Sequence, residues 1–160
     1  MNKKAEIPKA KALKLLCLLS FIGFIYCMAL DSAKFITYQF YSPDNLIEDS
    51  NAYEIISNEL NAWSMKGVDV SEKGIQLIAL NFFLRSTFDV LALFGVALMF
   101  YQLKIGYSIY VFFQLLYIAV PFLIFFDGAF SGVPLQITAV NLVYIGLFTT
   151  QRKHLKSKRN

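Results

Sequence analysis

Apolar residues run almost unbroken from 77 to 103, and Asn81, Arg85 and Asp89 interrupt the run at intervals of four. Four helical residues advance about 400°, so the three share one face of a helix. Polar and charged groups are costly in hydrocarbon, and a stripe of them in an apolar helix needs partners. Three more apolar blocks complete the pattern. The spacing predicts membrane spans over 13–33, 75–103, 107–126 and 135–150, because about 20 apolar helical residues cross ~30 Å of hydrocarbon. The second span exceeds that need, which predicts tilt or projection beyond the bilayer. Pro121 predicts a kink or break near the end of the third. Short turns at 102–106, carrying Lys104, and at 127–134, carrying Gly and Pro, separate the last three spans.

Residues 34–74 are the one sizeable hydrophilic stretch, with seven acidic residues against Lys34, Lys66 and Lys73. Asn51 followed by Glu54 has the form of a capping box. Ala52, Ile56, Leu60 and Trp63 then fall on one helical face, and Gly67 supplies a stop. This predicts an amphipathic helix of about four turns on the bundle or on the outer membrane surface. Its apolar face either caps the bundle or offers a partner a binding surface.

Composition agrees with a membrane chain. Of 160 residues, 57% are hydrophobic and 16% charged, where a soluble domain has about 25% charged. The net charge of +4 does not point to nucleic acid, because the basic residues cluster at the ends of the spans. The two termini and the Lys104 turn hold eleven Lys or Arg and one acid, Glu6. The positive-inside rule then places both termini and the basic tail 151–160 in the cytoplasm, with 34–74 outside. Tyr38, Tyr41, Tyr101, Tyr107, Tyr110 and Trp63 fit interfacial belts. Cys17 and Cys27 lie ten residues apart in the first span, about 15 Å along a helix, too far for a bridge. The first block also has the outline of a secretory signal, but its apolar run is longer than such signals use and large residues crowd its end. It is read as a retained span.

Depth locates partners for the stripe. Counted from Lys104 at ~1.5 Å per residue, Arg85 lies about 28 Å out and Asp89 about 22 Å out. The same count sets Asp31 and Asp127 near the level of Arg85, and Asn141 near that of Asp89. The expectation is an outer-leaflet cluster in which Arg85 faces Asp31, Asp89 and Asp127, with Asn81 and Asn141 completing hydrogen bonds. A guanidinium can satisfy several acceptors at once where water is scarce. Gln114 stands apart as a position for helix-to-helix hydrogen bonding. Such a cluster either orients the bundle or holds a small ligand, a lipid headgroup or a proton.

From 85 to 122 the pattern of Leu98, Met99, Leu103, Lys104, Gly106, Tyr110, Gln114 and Pro121 resembles a group of small four-span bacterial inner-membrane proteins of unassigned function. The resemblance covers about a quarter of the chain. It implies the four-span architecture and no activity.

The sequence therefore predicts an all-α polytopic membrane protein, a four-helix transmembrane bundle with one extracytoplasmic amphipathic helix between spans one and two. No HExxH, phosphate-binding glycine loop or catalytic triad spacing occurs, and the lone His154 sits in the basic tail. A non-enzymatic accessory or scaffold subunit is the leading expectation, with no cofactor and no metal. It would bind another membrane protein or its own copy through the 51–66 helix and through small-residue faces such as Ala92 and Gly95. The alternative is an oligomeric transporter or channel component built on Arg85 and Asp89. A bacterial inner membrane is the expected location.

Overall fold

The computed structural model describes residues 7–41, 51–125 and 135–155, and the side chains of 7–10, 51–52 and 135–137 lie outside that description. Every described element is helical: α1 (Ile7–Gln39), α2 (Asn51–Met65), α3 (Glu72–Phe100), α4 (Lys104–Ile124), α5 (Leu135–Gln151) and a short 3₁₀ turn (Arg152–His154). Among them α1 from Lys11, α3 and α4 are long and apolar enough to cross a membrane, which fits a multi-pass membrane protein. The 17 residues of α5 span only about 25 Å.

Helix ends follow local chemistry. Ser71 caps α3: its hydroxyl accepts from the Gly74 N–H at 3.5 Å, and Asp69 holds Ser71 by accepting from its N–H at 2.9 Å and its hydroxyl at 2.5 Å. α2 stops at the predicted Gly67, whose φ is +79°. There Val68 N–H reaches back to Trp63 O and Gly67 N–H to Ser64 O, the paired bonds that close a helix through a left-handed residue. The same pair ends α3, from Leu103 to Leu98 and from Gln102 to Met99, with Gln102 at φ +63°. Hence α3 stops at Phe100 instead of 103, and α4 begins at Lys104 instead of 107. Pro121 lies in the last turn of α4, whose cap is the Phe125 N–H on Pro121 O. The first helix also runs past its expected end at 33. Phe35 and Tyr38 hold residues 34–39 to α3, with ring centroids 5.3 Å from Phe83 and 5.8 Å from Phe82.

α3 and α4 form an antiparallel hairpin, and α1 lies along α3. The α3–α4 contact is backbone against backbone. A Cβ built on Gly95 would stand 2.7 Å from Tyr110 N, and one on Gly106 would stand 2.5 Å from Gly95 O. The small face of Ala92 and Gly95 is therefore consumed inside the chain and is not a free docking face. Two apolar clusters fill the ends of the bundle. Leu13, Cys17, Val96, Met99, Tyr110 and Phe148 make one. Tyr38, Val68, Ile78, Phe82 and Phe125 make the other. Tyr110 is 1% exposed, so it is a core residue and not part of an interfacial belt; its ring meets Phe148 at 4.8 Å.

The glycine contact gives a sharp expectation. Gly106→Ala should lower the unfolding free energy in detergent by about 2 kcal/mol, as overpacking at a rigid contact does. Gly146→Ala, where a Cβ meets nothing within 4 Å, should cost nothing. Equal thermal midpoints for the two variants would remove the close approach as a determinant of the fold.

Candidate functional site

A polar layer separates the two apolar clusters. Asp31, Asn81, Arg85, Asp89, Gln114 and Ser20 are all buried. Arg85 on α3 places Nε 3.4 Å from Asp31 Oδ2 on α1. Its terminal nitrogen donates to the Tyr117 hydroxyl on α4, and that hydroxyl donates to the same Asp31 oxygen at 3.3 Å. The guanidinium carbon also lies 4.6 Å from the Tyr117 ring centre and 5.6 Å from that of Phe82. One side chain thus links three helices. Beside it, the Ser32 and Ser86 hydroxyls share a hydrogen bond of 2.9 Å.

The remaining members of the expected cluster are arranged otherwise. Asp89 makes no ion pair with Arg85 among the described residues, and its Oδ2 is buried without a hydrogen-bond partner. The guanidinium is committed to Asp31 and Tyr117, and a residue four positions on is rotated ~40° around the helix. Asp89 instead faces a cavity of about 160 Å³ lined from four helices: Ser20, Gly23, Phe24 and Cys27 on α1, Tyr110 and Tyr117 on α4, and Val140, Asn141 and Tyr144 on α5. Asn141 therefore meets the site as a cavity wall. Asn81 is fully buried with neither side-chain polar atom hydrogen-bonded, as is Gln114. Asp127 lies outside the described residues.

Depth changes too. Since α3 ends at Phe100, Asp89 lies about 16 Å from that end, level with Gln114 at the midpoint of α4. Gln114 therefore shares the level of Asp89 along the hairpin instead of standing apart. Tyr117 and Ser20 were not singled out from the sequence. Tyr117 becomes visible once pairing is counted outward from a turn at 101–103, which sets it opposite Arg85. Ser20 has no local signal; only the packing of α1 reveals it.

α2 closes the far end of the bundle. Leu60 and Trp63 pack on the second apolar cluster, and Trp63 meets Phe125 at 5.5 Å and Phe82 at 6.3 Å. Ile56 lines a groove between α1 and α2 with Tyr38 and Glu59. The side chain of Ala52 lies outside the described residues. Glu59 locks α2 to α1, accepting from Tyr38 Oη at 2.7 Å and from Lys34 Nζ at 3.0 Å. Burial pushes the Glu59 carboxyl up, but these two donors and the Lys34 charge outweigh it, and the group titrates below its ordinary range.

Cys17 and Cys27 are both free. No group of three His, Cys, Asp or Glu able to hold a metal occurs among the described residues. Comparison with family models, curated proteins and solved structures returns no match.

Two measurements follow. Arg85→Leu leaves Asp31 buried and unpaired, and should cost about 3 kcal/mol, whereas Asp31→Leu with Arg85→Leu should recover much of that, since a buried pair replaced whole costs little. A single variant as stable as the wild type would show that the pair does not hold the bundle. For Glu59, a lowered folded pKa means stabilisation that is complete above the unfolded value of about 4.5 and is lost as pH falls through the folded one. Fluorescence of the lone Trp63 should therefore report loosening of α2 as pH falls below the unfolded value, and Glu59→Gln should flatten that transition.

Proposed function

We propose that this chain is a non-enzymatic, four-span integral membrane protein that works as a transport or channel component, with its solute site at Asp89. In this reading α5 forms the fourth span, its 25 Å completed by the basic turn that follows. Both termini face the cytoplasm, which the Lys and Arg distribution supports. One observation carries the proposal: a buried carboxyl with an unpartnered oxygen borders a cavity inside the helix bundle. Intramembrane carboxyls of this kind are costly unless they serve a pathway, and the walls of the cavity come from four separate helices. Arg85 is removed from the transport role, because Asp31 and Tyr117 already absorb it as a structural tie.

An accessory subunit was the stronger expectation from the sequence. That argument used the 51–66 helix and small-residue helix faces, and Leu60, Trp63, Ala92 and Gly95 are engaged within the chain. Those residues are not free to dock a partner, and the cavity favours the solute reading.

The test is flux. The full chain in proteoliposomes should pass protons or small monovalent cations under an imposed potential at least tenfold faster than empty vesicles, and Asp89→Asn should remove most of that flux. Flux equal to that of empty vesicles for every cation tried would return the accessory-subunit reading to first place.

A further inference from the structure

The chemistry of the cavity says more than that a solute binds there. Of the buried charged side chains in the described residues, two are carboxyls, Asp31 and Asp89, and one is a cation, Arg85. Arg85 is spent on Asp31. No buried cation is left for Asp89, 3% exposed with Oδ2 unpartnered, so an ionised Asp89 needs its positive charge from an occupant of the cavity. Ser20, on the opposing helix and also 3% exposed, lines the same cavity with an unpartnered hydroxyl. Between them the walls are aromatic: Phe24, Tyr110 and Tyr144. The Phe24 and Tyr110 rings stand edge to face at 6.2 Å.

A carboxylate to neutralise charge, with ring faces to surround it, is the chemistry that recognises organic ammonium groups. A divalent metal cation prefers a set of several carboxylate or carbonyl oxygens, and the cavity offers one carboxylate. Size agrees. The cavity holds about 160 Å³, comparable with the ~150 Å³ cavity that accepts benzene, so its occupant has roughly six to eight non-hydrogen atoms. Access agrees as well. Gly23 and Val140 both border the cavity and are exposed, one on α1 and one on α5, so the mouth opens sideways between these two helices. No other helix crowds Gly23, where an added Cβ meets nothing within 4 Å.

We infer that the cavity between α1, α3, α4 and α5 is a binding site for a small alkylammonium ion, with Asp89 as counter-ion, Ser20 as a hydrogen-bonding group and Phe24, Tyr110 and Tyr144 as its aromatic walls. The inference rests on the solute reading above and names the ligand class.

The experiment is equilibrium binding of radiolabelled choline to the full chain in mild detergent, with 3,3-dimethyl-1-butanol, its neutral isostere, as competitor. Saturable binding is expected, with the neutral isostere competing at least tenfold more weakly than unlabelled choline. Asp89→Asn should weaken binding at least tenfold. Gly23→Leu should abolish it by filling the mouth while keeping the thermal midpoint, because that position has room. Tyr144→Leu should weaken choline more than the isostere, and it keeps the test open should Asp89→Asn fail to fold. Equal competition by the neutral isostere overturns the ammonium assignment and leaves an apolar site. Absence of saturable choline binding to folded protein overturns the inference. Flux that still depends on Asp89 then preserves the solute reading, and its absence removes that reading too.

Discussion

A guanidinium buried in a helix bundle has to be met on its own terms, and the rest of this protein is arranged around that need. Arg85 carries a permanent charge and several donors in a rigid fork. Asp31 from one side and Tyr117 from the other meet it, while the Phe82 and Tyr117 rings lie over its face. The consequence is register. α1 cannot slide along α3 without parting Asp31 from Arg85, and α4 cannot slide without losing Tyr117. Apolar clusters alone tolerate such slips, because lipid is as apolar as the side chains and there is little hydrophobic drive between spans. The glycine contact at the other end of the α3–α4 hairpin complements this by fixing the distance between the two helices.

Satisfying Arg85 in this way leaves other polar groups unanswered. Asp89, Ser20, Asn81 and Gln114 sit in the same layer with orphan atoms. Buried polar groups are normally paired, and each exception calls for a reason. For Asp89 and Ser20 the reason has a place, since both line one cavity. Asn81 and Gln114 are not among the residues that line it, and their side chains find no hydrogen-bond partner among the described residues.

α2 links the hydrophilic segment to this interior. Its apolar residues seal the end of the bundle beneath Trp63, and Glu59 ties it to α1 through Tyr38 and Lys34. Half-exposed ion pairs contribute little alone. Here the hydroxyl of a buried tyrosine shares the carboxylate, so the lock is also a hydrogen bond.

Helix positions were legible in the sequence because they depend on local pattern. The four apolar blocks, the α2 face through Ile56, Leu60 and Trp63, and the Gly67 stop all follow from periodicity and from the left-handed conformation glycine permits. Helix ends were less legible. Nothing local announces that Gln102 adopts a positive φ, and that conformation ends α3 three residues before the expected 103. The one-face argument correctly set Arg85 and Asp89 side by side, but it could not say which acid Arg85 would choose. That choice belongs to the tertiary structure: Asp31 and Tyr117 arrive from helices 54 and 32 residues away in the chain, and together they outcompete an acid four residues distant. That charge would be buried follows from the apolar pattern alone, since the apolar run around Arg85 and Asp89 leaves them nowhere else to go. Only the packing of α1, α4 and α5 decided that one acid would be neutralised and the other left facing a cavity, because ion-pair geometry is settled between helices and not along one.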